Sequence, residues 1–198
     1  MIWANADGRE PMDMRRWRYS WQRPRTHREV IVERRVSFLE LFYDLVYVVV
    51  VSQAAHHLAE HISWGAAGQF AIVFGLVWIA WLNGAAYHEL HGHDDGRTRT
   101  YVFLQMAILA LLAVFTANAT GDDGRAFALV YCAFLVVLMW LWYTVRRQDD
   151  ERFRPVTTPY LVGMGTSIVI VGASAFVPPP LRVTLWAVVV GGWVVGLL

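Results

Sequence analysis

Polar and apolar positions along this chain alternate on the scale of whole helices rather than single turns. From residue 37 onward, long stretches without a formal charge are broken by short runs of Gly, Pro, Asp and Arg. Residues 61–88, 100–121, 126–145 and 155–181 hold no Asp, Glu, Lys or Arg over 28, 22, 20 and 27 residues. Each is long enough for the ~20 apolar residues a helix needs to cross a bilayer. The breaks carry turn chemistry: Gly65, residues 92–96, Gly121 to Gly124, Arg154-Pro155 and the prolines at 178–180. The pattern predicts six spans, near residues 37–59, 67–88, 101–120, 126–145, 159–177 and 182–198. The last window, 183–198, runs only 16 residues before the chain stops, as expected of a protein cut from a longer one. Connections this short make consecutive helices antiparallel neighbours. The expected fold class is all-α, a polytopic transmembrane helix bundle.

The first span differs from the others because it admits acids. Only fifteen residues separate Asp44 from Glu60, fewer than a crossing needs. Asp44, with Glu40 one turn before it, must therefore sit at or inside the hydrocarbon edge. A carboxylate there is expensive, and such a residue marks a functional site by default. At about 100° per residue, Glu40, Asp44, Tyr47, Val51 and Leu58 fall on one stripe, with Gln53 and His57 roughly opposite.

Two stretches carry a family resemblance. The run LELFYDLVYV, followed by Gln53 and the His56-His57 pair, resembles the first helix of the low temperature requirement protein A (LtrA) family. The run HDDGRTRTYVFLQM at 93–106 is similar to that family's second loop and third helix. Tyr43 and Tyr47 stand where Phe is more frequent. The resemblance implies a multi-pass bacterial membrane protein linked by name to growth in the cold. It implies architecture far more than chemistry.

Composition and charge then orient the bundle. The chain is 57% hydrophobic and 17% charged, with ten Trp suited to interfacial belts. All its basic residues are Arg, and nine of the seventeen precede position 36. With the N-terminus inside, that segment shares its side with Arg97, Arg99, Arg146, Arg147, Arg152 and Arg154, leaving only Arg125 and Arg182 outside. Arg marks the cytoplasmic side, so the expected location is the plasma membrane with a cytoplasmic N-terminus. Residues 1–35 mix Arg with Trp3, Trp17, Tyr19 and Trp21. That mixture could serve nucleic acid, but its juxtamembrane position favours anionic lipid headgroups. Residues 36–198 form the bundle; no nucleic-acid partner is expected, and an oligomer is left open. No apolar h-region precedes a small-residue cleavage site. The single Cys132 lies in an apolar run and reads as a packing residue.

Among candidate sites, His57 and His61 share a helix face and could hold a metal. So could the HELHGHDD run, His88 to Asp95. Neither has the HExxH arrangement, and both read as solvated polar caps at opposite interfaces, so no metal and no cofactor is expected. Asn83, Gln105, Asn118 and Tyr143 read as hydrogen-bonding glue between helices. Trp78 and Trp81 read as packing or interfacial anchors. The small residues Gly163, Gly165, Ser167, Gly172 and Ala173, and the later Gly192 and Gly196, read as close helix contacts, or as a broken helix lining a cavity. No nucleophile elbow, phosphate loop or dinucleotide fingerprint occurs, so no enzyme is nominated. Two functions stay open. One is a transporter or channel-like protein for an ion or small solute, with Glu40, Asp44, Gln53 and Asn83 as binding residues. The other is a non-transporting structural or interaction protein in which the acids pair with Arg97 or Arg99.

Overall fold

The computed structural model describes residues 38–60, 62–91, 95–149 and 151–197. The Arg- and Trp-rich segment 1–35, its Arg34-Arg35 pair, His61, His93 and Asp94 lie outside the described residues. Among the described residues six α-helices follow in order: α1 Phe38–Glu60, α2 Trp64–His91, α3 Gly96–Thr116, α4 Gly124–Gln148, α5 Arg154–Ser174 and α6 Pro179–Leu197. A single 3₁₀ turn, Glu151–Phe153, precedes α5. All six are long and apolar enough to cross a membrane. The chain is thus an all-α multi-pass bundle, with apolar side chains turned outward as lipid requires. Phe38, Val48, Val162 and Val195 are all more than half exposed.

The expected boundaries hold near α1 and shift elsewhere, for local reasons. Helix α3 starts five residues earlier than expected because Asp95 caps it, its side chain accepting from the Thr98 amide at 3.0 Å. An N-cap acid satisfies an amide that the helix itself leaves open. Helices α5 and α6 also start early, at Arg154 and Pro179. Proline in a first turn is tolerated because its missing N–H would have had no helical partner. The Pro155 and Pro178–Pro180 positions expected to be loop are therefore partly helix. This lengthens the final span, which covers Pro179–Gly196.

The helices close into a ring in the order α1, α3, α4, α5, α6, α2, with α2 also touching α4 across the middle. Consecutive helices are neighbours throughout except at one place. Despite their short connection, α2 and α3 hardly pack along their lengths, and α1 takes the place beside α3. Fully buried Leu76, Phe127, Phe134, Leu138 and Trp186 fill the centre. Close approaches occur where side chains are small. Gly84 receives the Tyr43 phenol, and Gly163 lies under the Trp193 indole. On α5 the hydroxyls of Ser167 and Ser174 accept from the Trp193 and Trp186 indoles of α6 at 2.9 and 2.8 Å. The small-residue stripe of α5 is thus a packing seam, and α5 is unbroken from Arg154 to Ser174.

Candidate functional site

Asp44 lies in the second turn of α1 and is exposed on the bundle surface. Its carboxylate Oδ1 accepts a hydrogen bond from the Trp81 indole of α2 at 2.8 Å. Helix α2, at 28 residues, is about 42 Å long; centred on a ~30 Å core, it places Trp81 about 10 Å below the hydrocarbon edge. On that placement the acid lies within the hydrocarbon, where its Oδ1 has a neutral donor. Around it runs a half-open groove of about 390 Å³ between α1 and α2. Tyr47, Val48 and Val51 line one wall; Phe74, Trp78 and Trp81 line the other. The wall on α1 includes Asp44, Tyr47 and Val51, part of the stripe that helical spacing predicts.

The opposite wall is an aromatic ridge. Phe70 stacks on Phe74 and Phe74 on Trp78, each at 5.8 Å between ring centres, and Trp78 meets Trp81 at 5.0 Å. Trp78 is half exposed. Trp81 packs against the core, as a packing residue does, and the ridge adds a grouping of the rings on one face. The signal was present as aromatics three and four positions apart on one helix, which converge on one face. Their meeting with an acid 37 positions earlier in the chain was not visible.

The expected pairing with Arg97 is not what forms. Among the described residues no ion pair joins Asp44 to Arg97 or Arg99. Arg97 is nearly buried, donates to Thr144 Oγ1 at 3.1 Å, and lies 5.5 Å from the Tyr101 ring centre. The reason is register. His88, one turn from the end of α2, donates from Nε2 to Gln105 Oε1 of α3 at 3.0 Å. Arg97 lies eight residues, about 12 Å, beyond Gln105, and Asp44 lies level with Trp81, about 10 Å short of His88. Helix α3 overshoots α2, so the backbone positions of Asp44 and Arg97 end about 20 Å apart along the bundle, and the Arg97 side chain turns to Thr144.

The other expected binding residues do not converge on the groove either. Glu40 is half-buried one turn before Asp44. Gln53 is half-buried on α1, nine residues or about 14 Å further along. Asn83 turns to the core, where its Nδ2 donates to the Ile79 carbonyl of its own helix at 2.8 Å. Its Oδ1 has no hydrogen-bond partner among the described residues. Of the four glue candidates, then, Gln105 alone makes the expected bond between helices. Asn118 is exposed, and Tyr143 is partly exposed with Arg147 5.4 Å from its ring centre.

The histidines of α2 require a further correction. His88 and His91 are buried rather than solvated. They pack edge-on into a core of aromatic rings: His88 against Tyr43 and Tyr87, His91 against Trp142, which itself stacks on Tyr160. Tyr43 and Tyr47 share a hydroxyl contact of 3.2 Å on the α1 side. His56 pairs with Glu60 at 3.3 Å at the far end of α1.

At that far end Arg182 has a role that sequence reasoning did not suggest. It is nearly buried and donates to the carbonyls of Ser174, Gly121 and Val177 at 3.1–3.2 Å. These carbonyls belong to the end of α5 and to two turns, so one side chain ties three segments. Cys132 packs at the α5 seam, its Sγ 3.6 Å from the Ile168 carbonyl.

Comparison with known proteins places this architecture. No solved structure matches the chain. It is similar to an uncharacterized protein of Rhizobium meliloti (strain 1021), at 28% identity over 159 residues, or 79% of this chain. The aligned part is 38% of that relative, so the chain spans about two-fifths of the length of the curated relative it matches. A family model described as bacterial low temperature requirement A protein matches residues 35–195, which takes in all six helices nearly to the end of the last. The chain belongs to the bacterial low temperature requirement A protein (LtrA) family.

Proposed function

We propose that this chain is a membrane-spanning portion of a transport protein whose substrate-binding carboxylate is Asp44. The observation that supports this most directly is the partner of that carboxylate. A structural acid in a membrane is normally closed by a cation. Asp44 instead takes a neutral indole donor and faces an open groove. An acid kept for structure alone would be expected to pair, because an unpaired charge in hydrocarbon is expensive. Glu40, Gln53 and Asn83 lie outside the groove's lining. The same reading puts the protein in the plasma membrane, N-terminus in the cytoplasm, with residues 1–35 against anionic headgroups. It assigns no enzymatic reaction.

A second reading, an interaction protein without flux, draws on a different feature. Helices α5 and α6 leave a surface groove of about 580 Å³ floored by Gly163, Gly192 and Gly196, where another helix could approach closely. Reconstitution into liposomes separates the two. Uptake of protons, alkali cations and a set of labelled organic cations is measured for the chain and for Asp44→Asn. Transport predicts saturable uptake of at least one of them, lost by tenfold or more in Asp44→Asn while unfolding is unchanged. Uptake that ignores the substitution, or no uptake from correctly folded protein, would reject the proposal.

A further inference from the structure

We infer that the groove between α1 and α2 binds an organic cation with an apolar body, entering from the lipid phase. The inference deepens the proposed function in taking Asp44 as the binding carboxylate, but it concerns binding and stands or falls separately from flux.

The chemistry of the walls selects the ligand. The groove offers one carboxylate and four aromatic side chains, Tyr47, Phe74, Trp78 and Trp81, with valines completing it. A bare metal ion needs several oxygen ligands: calcium takes six to eight, and magnesium a near-ideal octahedron. Among the described residues lining the groove, the one other side-chain oxygen is the Tyr47 hydroxyl, in contact with Tyr43 at 3.2 Å. Among the described residues no group of three or more His, Cys, Asp or Glu could hold a metal. A dehydrated inorganic cation would find too few donors.

An organic cation needs none of these. Its charge is matched by the carboxylate and by ring faces, since cations over Trp are drawn by the ring quadrupole, more strongly when desolvated. The ridge Phe74, Trp78 and Trp81 supplies such faces beside the acid. The Trp81 indole, by donating to Asp44 Oδ1, also fixes the carboxylate toward the ridge. The volume of about 390 Å³ lies within the ~300–1,000 Å³ of small-molecule sites. The groove is open sideways, where Val48 and Trp78 are at least half exposed on the membrane-facing surface. The ligand's apolar body thus stays in contact with lipid while its charge meets the acid. A neutral apolar molecule would leave the carboxylate uncompensated.

The test is equilibrium binding of tetraphenylphosphonium to the purified full chain in nanodiscs, with triphenylphosphine oxide as a neutral counterpart. The expected result is saturable binding of one cation per chain, at least tenfold tighter than the neutral compound. Asp44→Asn should weaken the cation by tenfold or more, Asp44→Glu should recover part of it, and Trp78→Ala should weaken it severalfold. Trp78 is half exposed, so its removal leaves the core intact and keeps the test valid if Asp44 variants fold poorly. Equal affinity for the cation and the neutral compound would make the groove a lipid contact and overturn the inference. So would cation affinity indifferent to both Asp44→Asn and Trp78→Ala, or no saturable binding. A change of oligomeric state on Trp78→Ala would assign the groove to a second copy of the chain and overturn it too. Binding without flux would keep this inference and reject transport. Asp44-dependent flux of protons or alkali cations without tetraphenylphosphonium binding would do the reverse.

Discussion

Arg182 closes three backbone carbonyls at once, at the end of the bundle away from Asp44. Each is a hydrogen bond from a charged donor, of the kind that contributes about 1.5–3 kcal/mol. Gly124 has no room for a methyl group because this same guanidinium and the Ala119 carbonyl occupy the space. Arg182→Ala is therefore expected to lower stability by about 3 kcal/mol or more, leaving buried carbonyls open. Lysine has a point charge instead of a fork, so Arg182→Lys should recover only part. Equilibrium unfolding in mixed micelles reads both values. A loss below about 0.5 kcal/mol, the range of ordinary surface substitutions, would mean that water serves those carbonyls equally well. In the sequence this Arg is one charge after three prolines, and nothing local indicates that it folds back onto two turns.

Among the elements, α3 shows how a single side chain sets a boundary. Charge-free length alone starts the helix near residue 101, yet it begins at Gly96 because Asp95 accepts from the Thr98 amide. The added turn carries Arg97 to Thr144 of α4. Asp95→Ala should destabilise by about 1 kcal/mol or somewhat more, the usual loss for an N-cap. Hydrogen exchange should then rise at the amides of the first turn of α3 and stay unchanged at Leu109. Uniform protection across α3 in the variant would show that tertiary packing, not the cap, holds the turn. Helices α5 and α6 illustrate the converse. Their prolines read as loop by composition, and their first-turn placement makes them helix starters instead. Span number was legible because it depends on length, whereas boundaries depended on individual caps.

For the whole molecule, the orientation inferred from Arg placement has a direct test. In a chain with Cys132 replaced by Ala, a single cysteine in the Gly121–Gly124 turn should react with membrane-impermeant reagent from outside the cell. Labelling only from the cytoplasmic side would invert the topology. Within the bundle, the ring order places α1 between α2 and α3 at one side. That order sets Asp44 against Trp81 and brings Gln105 to His88. The same order leaves the backbone positions of Asp44 and Arg97 far apart along the bundle.

The sequence by itself determined the fold class and the six spans. These are properties of one dimension: hydrocarbon thickness sets a minimum apolar length, and lipid forces backbone groups to bond within a helix. The stripe of Asp44, Tyr47 and Val51 was legible for the same reason, since it repeats at helical spacing. Only the tertiary structure decided what those stripes meet. Which helices are neighbours, and in what register, depends on how Tyr43 seats on Gly84 and Trp193 on Gly163. Such contacts join residues tens of positions apart, and no local pattern encodes them. For that reason the polar position of Asp44 on the first helix could be read from sequence, while its partner Trp81, the burial of His88 and His91, and the clamp at Arg182 could not.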